Sequence, residues 1–350
     1  MVFIVASVAS AQSDELYFQR AFERELPGSR ILSLSEDPIG GLWVGTSSGL
    51  ARVLGDHVRV WRQQAVDSLS LSSSHIVSVD ATSPDVVWVG TLRGLCRLDP
   101  ITGAVKRVPC HLPDTDPLLV NTIWQVVCGH EGSIWVSTAA GLLNYDAVAS
   151  EWRDPLVEEA VFPGSRMRPL PGTMVHDARR KALWAGTKYG VYRLDETGLR
   201  TATDTLRLEP MQGTSSAMCL AAGLHDDIAV LDFRLNAMLH IHPDIGVVRS
   251  VKLPSEWFFN NLGKAMLVDP TQRIWIATGD DRLRVLPANG KDARSIVPDR
   301  NKPWSLPSSS VNALLLTREK TLWLGTEEGL VRLLPERSGQ IHLAHWNSPS

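Results

Sequence analysis

A five-residue tryptophan motif recurs along this chain at a spacing that few architectures use. Residues 42–46 read Leu-Trp-Val-Gly-Thr, followed by Gly49-Leu50, and residues 87–91 read Val-Trp-Val-Gly-Thr, followed by Gly94-Leu95. The pattern returns at 134–138 (Ile-Trp-Val-Ser-Thr), 183–187 (Leu-Trp-Ala-Gly-Thr), 274–278 (Ile-Trp-Ile-Ala-Thr) and 322–326 (Leu-Trp-Leu-Gly-Thr). Successive tryptophans lie 45, 47, 49, 91 and 48 residues apart. The interval of 91 is two periods, and Asp227–Phe233 supplies an apolar run where the missing copy belongs. Seven units of about 47 residues therefore account for nearly all of the 350.

Each unit has the same internal order. An alternating stretch (Arg30-Ile31-Leu32-Ser33-Leu34) leads into a turn rich in Asp, Pro and Gly, then the tryptophan segment, a short loop, a third apolar segment and a more polar fourth. Period-two alternation with turns about every ten residues reads as four antiparallel strands. No stretch sustains a helical period of 3.6 residues, so helices should be short or absent. Four strands repeated seven times predict an all-β chain: a single seven-bladed β-propeller, WD40-like in architecture, spanning residues 12–350. Blade motifs fall near 42–50, 87–95, 134–142, 183–191, 227–239, 274–283 and 322–330. A length that otherwise suggests two domains is thus absorbed by one ring.

The pattern across Arg30–Leu50 (Ile-x-Ser-Leu-x-Glu-Asp-x-x-Gly-x-Leu-Trp-Val-Gly-Thr-x-x-Gly-Leu) resembles the two-component regulator propeller repeat, and six of the seven units match it. The resemblance implies the extracytoplasmic sensor region of a hybrid histidine kinase or diguanylate cyclase. Such regions usually join two propellers to a small β domain, a membrane span and a cytoplasmic output module. This sequence holds seven units and neither a span nor an output domain, so the resemblance implies one part of a longer receptor. Its expected partners are a small-molecule or saccharide ligand, a second propeller, and a kinase or cyclase module.

Twelve tryptophans outnumber seven phenylalanines and four tyrosines, and the repeat divides them equally. Trp43, Trp88, Trp135, Trp184, Trp275 and Trp323 occupy one strand position per blade, where a large flat ring packs between sheets. The following glycines (Gly45, Gly90, Gly186, Gly325) relieve crowding there. The other six (Trp61, Trp124, Trp152, Trp257, Trp304, Trp346) are off-register. In a four-stranded meander, the loop from strand two to three and the link from strand four to the next blade share a face. That face collects Arg93, Lys188-Tyr189 and Asp281-Arg282 from the short loops. It also collects Trp257, Asn260-Asn261 and Trp304 from the links, with Trp124 just inside the following strand. Aromatic planes beside amides and charges suit a polyhydroxylated or aromatic ligand, so these ten residues are the candidate ligand-binding set. Packing between blades is the competing role for Trp257 and Trp304.

Catalytic chemistry is harder to find. His240-Ile241-His242 places two imidazoles on one strand face, near His225-Asp226-Asp227 and Asp244, but two histidines do not make a metal site. No serine triad spacing, phosphate-binding glycine loop or basic run is present. A net charge of −3 gives no general electrostatic case for nucleic acid. No cofactor and no metal are expected. A similarity to the streptogramin lyases, seven-bladed propellers with short tryptophan-bearing repeats, supplies an enzymatic alternative. It would require a histidine and a metal-binding acid on the loop face, with His75 and His176 as isolated candidates. A partner-binding scaffold without ligand is the third reading.

The first eleven residues carry an apolar run ending in Ala9-Ser10-Ala11, the shape of a shortened signal peptide, and place the chain in the periplasm or outside the cell. Cys96, Cys110, Cys128 and Cys219 show no metal or redox spacing and are expected as buried thiols. Ring closure has two claimants for one slot, Tyr17–Phe22 and Ile341–Trp346. If the first completes blade seven, the second begins something beyond it.

Overall fold

The computed structural model describes residues 16–112, 115–153, 169, 172–198, 208–223, 227–258, 265–278, 280, 282–287 and 293–334. They form seven antiparallel sheets of four strands each, arranged as a seven-bladed propeller. Blade one consists of Ile31–Glu36, Leu42–Thr46, Gly49–Leu54 and His57–Trp61. The first strands of successive blades touch one another around the axis, from Ile31–Glu36 through Val311–Leu316 and back to Ile31–Glu36. The burial of blade one follows from this order. Its second strand is buried throughout, whereas its fourth carries no buried residue. Helix is confined to short pieces such as Pro117–Asn121, and no helix among the described residues is long and apolar enough to cross a membrane.

The repeated tryptophans lie between blades. Trp43 packs with Leu71, Ile76, Val89 and Leu98 of blade two, and Trp88 with Ile123, Ile134 and Leu143 of blade three. Trp135, Trp184, Trp275 and Trp323 sit likewise against the following blade. Burying ~200 Å² of ring at ~25 cal/mol per Å² is worth roughly 5 kcal/mol each. In blades one and six the turn before the tryptophan supplies its polar partner. Asp37 accepts the Trp43 indole N–H (3.0 Å) and pairs with Arg52 (2.6 Å), which lies over the same ring. Asp269, Trp275 and Arg273 repeat the arrangement in blade six. Blade three has Gly129 at the turn instead, and Glu196 from blade four reaches across to accept the Trp135 N–H. A Cβ on Gly129 would lie 2.2 Å from that carboxylate.

Two further features of the repeat have direct causes. Thr46 Oγ1 donates to the Gly49 carbonyl (2.8 Å) and accepts from the Ser48 N–H (3.0 Å), closing the tight turn. Threonines 91, 138, 187 and 326 make the same carbonyl bond to the glycine three residues on. The glycine after the tryptophan marks where the next blade comes closest. A Cβ at Gly45 would lie 2.8 Å from Ile76 Cγ2, and one at Gly325 would lie 2.6 Å from Ile31 Cγ2.

Blade five lost the motif without losing its fold. Ala229 pairs with His240, as Trp43 pairs with Arg52 in blade one. The gap facing blade six is filled by Met218, Met238, Met266 and Trp257. Asp232 stands in for the threonine and accepts from the Ser215 and Leu235 N–H groups.

The ring closes through the N-terminal strand. Phe18–Ala21 pairs antiparallel with Gly329–Leu333 and fills the outer position of blade seven. Residues 341–346, the other claimant, lie outside the described residues. The four cysteines are free, and burial pushes the Cys110 and Cys219 thiols up to about 12.

Candidate functional site

The innermost strands surround an axial cavity of about 690 Å³ that is open to solvent and bounded by residues from all seven blades. A β-bulge near the start of four of these strands shapes it, whereas in blade five the extra residue of the same bulge, Met218, is buried in the core. The pairing register slips between Ile31 and Ser33, Ile76 and Ser78, Ile123 and Gln125, and Val311 and Ala313. The extra residue in each case is Leu32, Val77, Trp124 or Asn312, and all four line the cavity. A bulge leaves one residue out of the ladder and re-aims its side chain. Leu92, from the loop between strands two and three of blade two, and His75, at the end of the link into that blade, place the cavity on the predicted loop face.

Most polar groups of the wall are committed to holding blades together. Ser78 Oγ accepts the Val126 N–H (3.0 Å). Gln125 donates to the Met174 carbonyl (2.9 Å) and accepts the Met174 N–H (3.0 Å). Asn312 donates to the Ile31 carbonyl and to Glu327 (3.0 Å each), bridging blades seven and one. His75 differs, since its ring makes no hydrogen bond among the described residues. Burial first, and the positive charge of Arg30 second, hold its pKa below the usual histidine range. Among the described residues the Trp124 indole N–H is also uncommitted, and Ser33 Oγ is buried without a partner.

The candidate residues read from sequence are dispersed rather than convergent. Trp124 alone of the three loop-face tryptophans lines the axial cavity. Trp257 is buried in the core between blades five and six, with the Arg284 guanidinium 4.9 Å from its ring. Trp304 stands near the outer strands, 6.1 Å from the Tyr17 ring, and lines a separate cleft of about 290 Å³ with Phe18 and Arg294. Arg93 is exposed beside Leu92. Lys188 lies 4.8 Å from the exposed Tyr189 ring, and Arg282 is exposed near Asp280. Asn260, Asn261 and Asp281 lie outside the described residues. Among the remaining tryptophans, Trp61 stacks on Trp43 and Trp152 tilts against Tyr145.

The histidines named as catalytic candidates are separated as well. His176 lies 2.8 Å from the buried Glu196 carboxylate, in a strand paired with Ala182–Thr187 and near the turn between them. That turn is on the face opposite His75. His240 pairs with Asp227 at 2.9 Å. Among the described residues no group of three or more His, Cys, Asp or Glu could hold a metal ion. What sequence reasoning missed was the wall itself: His75 as a cavity residue, and Leu32, Val77 and Asn312 as counterparts of Trp124. Their signal was the residue after the first apolar position of each first strand, which varies where its neighbours repeat.

The two component regulator propeller family profile matches residues 25–48 and 305–328, within the first and seventh units. A search of curated proteins finds no significant match. Among solved structures, the extracellular domain assigned to a hybrid two-component system of B. thetaiotaomicron superposes with a TM-score of 0.66 at 17% identity. The match covers 91% of this chain and 42% of that one, so the chain spans about four tenths of that domain. Virginiamycin B lyase from Staphylococcus aureus gives a TM-score of 0.65 at 14% identity, covering 92% of this chain and all of the lyase. PorZ, a surface component of the type-IX secretion system of Porphyromonas gingivalis, gives 0.62 at 15% identity, over 87% of this chain and 46% of PorZ. At these identities the likeness establishes the propeller and no more.

Proposed function

We propose that this chain, which carries the two-component regulator propeller repeat, is the ligand-reading propeller of an extracytoplasmic sensor. In this reading it is one part of a longer receptor and acts on a kinase or cyclase module beyond it. The supporting observation is the axial cavity, whose volume of about 690 Å³ lies in the range of small-molecule sites. A ring-spanning cavity suits a sensor, because an occupant touches several blades and can bias their packing together. Trp124 supplies the large contact surface. The lyase reading gains less support, since His75 has no carboxylate partner among the described residues and His176 lies on the opposite face.

The test is a thermal-shift screen of small molecules and oligosaccharides against the wild type and Trp124→Ala. A true ligand at one hundred times its Kd adds about 2.7 kcal/mol to wild-type stability. The reading predicts saturable stabilisation that Trp124→Ala removes. Stabilisation that survives Trp124→Ala, or turnover that requires a metal, would contradict it.

A further inference from the structure

We propose that the axial cavity takes an uncharged, predominantly apolar molecule bearing an aromatic ring, rather than a saccharide or an anion. The proposal rests on the cavity being the ligand site and concerns what that site can bind.

The wall decides the class. Leu32, Leu34, Val77, Val126, Met174 and Leu314 present aliphatic and thioether surface from five blades, around the Trp124 ring. Among the described lining residues there is no Asp, Glu, Lys or Arg. A charged ligand would leave water without a counter-charge, which is costly. A sugar would fare little better, because each buried hydroxyl that loses water without finding a partner carries its desolvation penalty. Partners are few here. Ser78, Gln125 and Asn312 already bond across blade junctions, and drawing them inward would open those junctions. Among the described side chains of the wall, the uncommitted groups that reach the cavity are the Trp124 indole N–H and the His75 ring, since the Ser33 hydroxyl is shut in against Gly45. Two such side-chain points can orient one or two polar atoms of a ligand, fewer than the hydroxyls of an oligosaccharide call for. An aromatic ligand stacked or tilted on Trp124, with one acceptor toward the indole N–H, uses what the wall offers.

The test titrates the full chain with N-phenyl-1-naphthylamine, an uncharged aromatic whose fluorescence rises in apolar surroundings, and in parallel with cellotetraose and maltotetraose followed by thermal shift. Three variants accompany the wild type, each checked for a native melting transition. Trp124→Ala removes the ring, Trp124→Phe keeps an aromatic surface without the N–H, and Trp304→Ala alters an aromatic outside the cavity. The expected result is saturable binding of one probe per chain, weakened about tenfold or more by Trp124→Ala. Trp124→Phe and Trp304→Ala should retain it, and neither tetrasaccharide should stabilise the protein. If the tetrasaccharides stabilise the wild type in a Trp124-dependent way and the probe does not bind, the ligand class is overturned while the cavity remains the site. If neither probe nor saccharide depends on Trp124, both the class and the cavity reading fall.

Discussion

Replacing Phe18 with alanine should test how the ring is closed. Phe18 is 4% exposed and packs with Trp275, Leu283, Leu306, Val331 and their neighbours between blades six and seven. Its backbone N–H bonds to the Trp304 carbonyl (2.8 Å), and its strand supplies the outer ladder of blade seven from Phe18↔Leu333 to Ala21↔Leu330. Truncating a buried phenylalanine costs about 3–5 kcal/mol, the transfer term plus the cavity left behind. In a chain of 350 residues each kcal/mol moves the melting point by about 1.4 °C, so the expected fall is roughly 4–7 °C. Gln19→Ala is the control. Gln19 is exposed and accepts from Arg332, so its loss should cost under about 1 kcal/mol. Differential scanning calorimetry on both variants, with a deletion of residues 16–22, reads the comparison. If the deletion and Phe18→Ala melt with the wild type, the N-terminal strand does not close the ring and the reasoning fails.

Three further outcomes follow from the same packing. Gly325→Ala puts a Cβ within 2.6 Å of Ile31 Cγ2 across the closing junction, a β-branched neighbour with little room to turn, and should cost about 1–3 kcal/mol by urea titration. Asp37→Ala strips the indole N–H of Trp43 and the half-buried Arg52 of their shared acceptor and should cost about 2–4 kcal/mol, more than the same change at exposed Asp56. The His75 pKa is depressed by burial and by Arg30, so the unfolded chain takes up a proton first as pH falls. Stability should therefore be intact above about pH 6.5 and decline below it, and His75→Gln should flatten that part of the pH profile of the melting point.

The tryptophan spacing carried the fold because packing between blades needs the same large ring at the same place in each repeat. Blade five shows where that legibility ends. With Ala229 at the tryptophan position, the gap is filled by three methionines and by Trp257 from a link, and nothing in the local sequence marks that substitution. Trp257 therefore reads from sequence as a loop aromatic, whereas the fold buries it. The cavity was hidden for a different reason. Which residue of a first strand faces the axis depends on a bulge, and a bulge is a register shift between two strands rather than a pattern within one. Trp124 was visible by its size, but Leu32, Val77 and Asn312 became its neighbours only when the ring closed. Glu196 makes the same point, since the carboxylate serving Trp135 comes from the following blade and no spacing within blade three predicts it.

Trp124 is the proposed ligand contact and the six motif tryptophans pack between blades, and fluorine NMR can read the two groups separately. Protein labelled with 5-fluorotryptophan gives a resonance for each ring, and Trp124→Phe identifies that of Trp124. Titration with N-phenyl-1-naphthylamine should shift the Trp124 resonance and leave those of Trp43, Trp88 and Trp184 in place. A shift at Trp257 or Trp304 with Trp124 unmoved would contradict the assignment of the axial cavity as the ligand site.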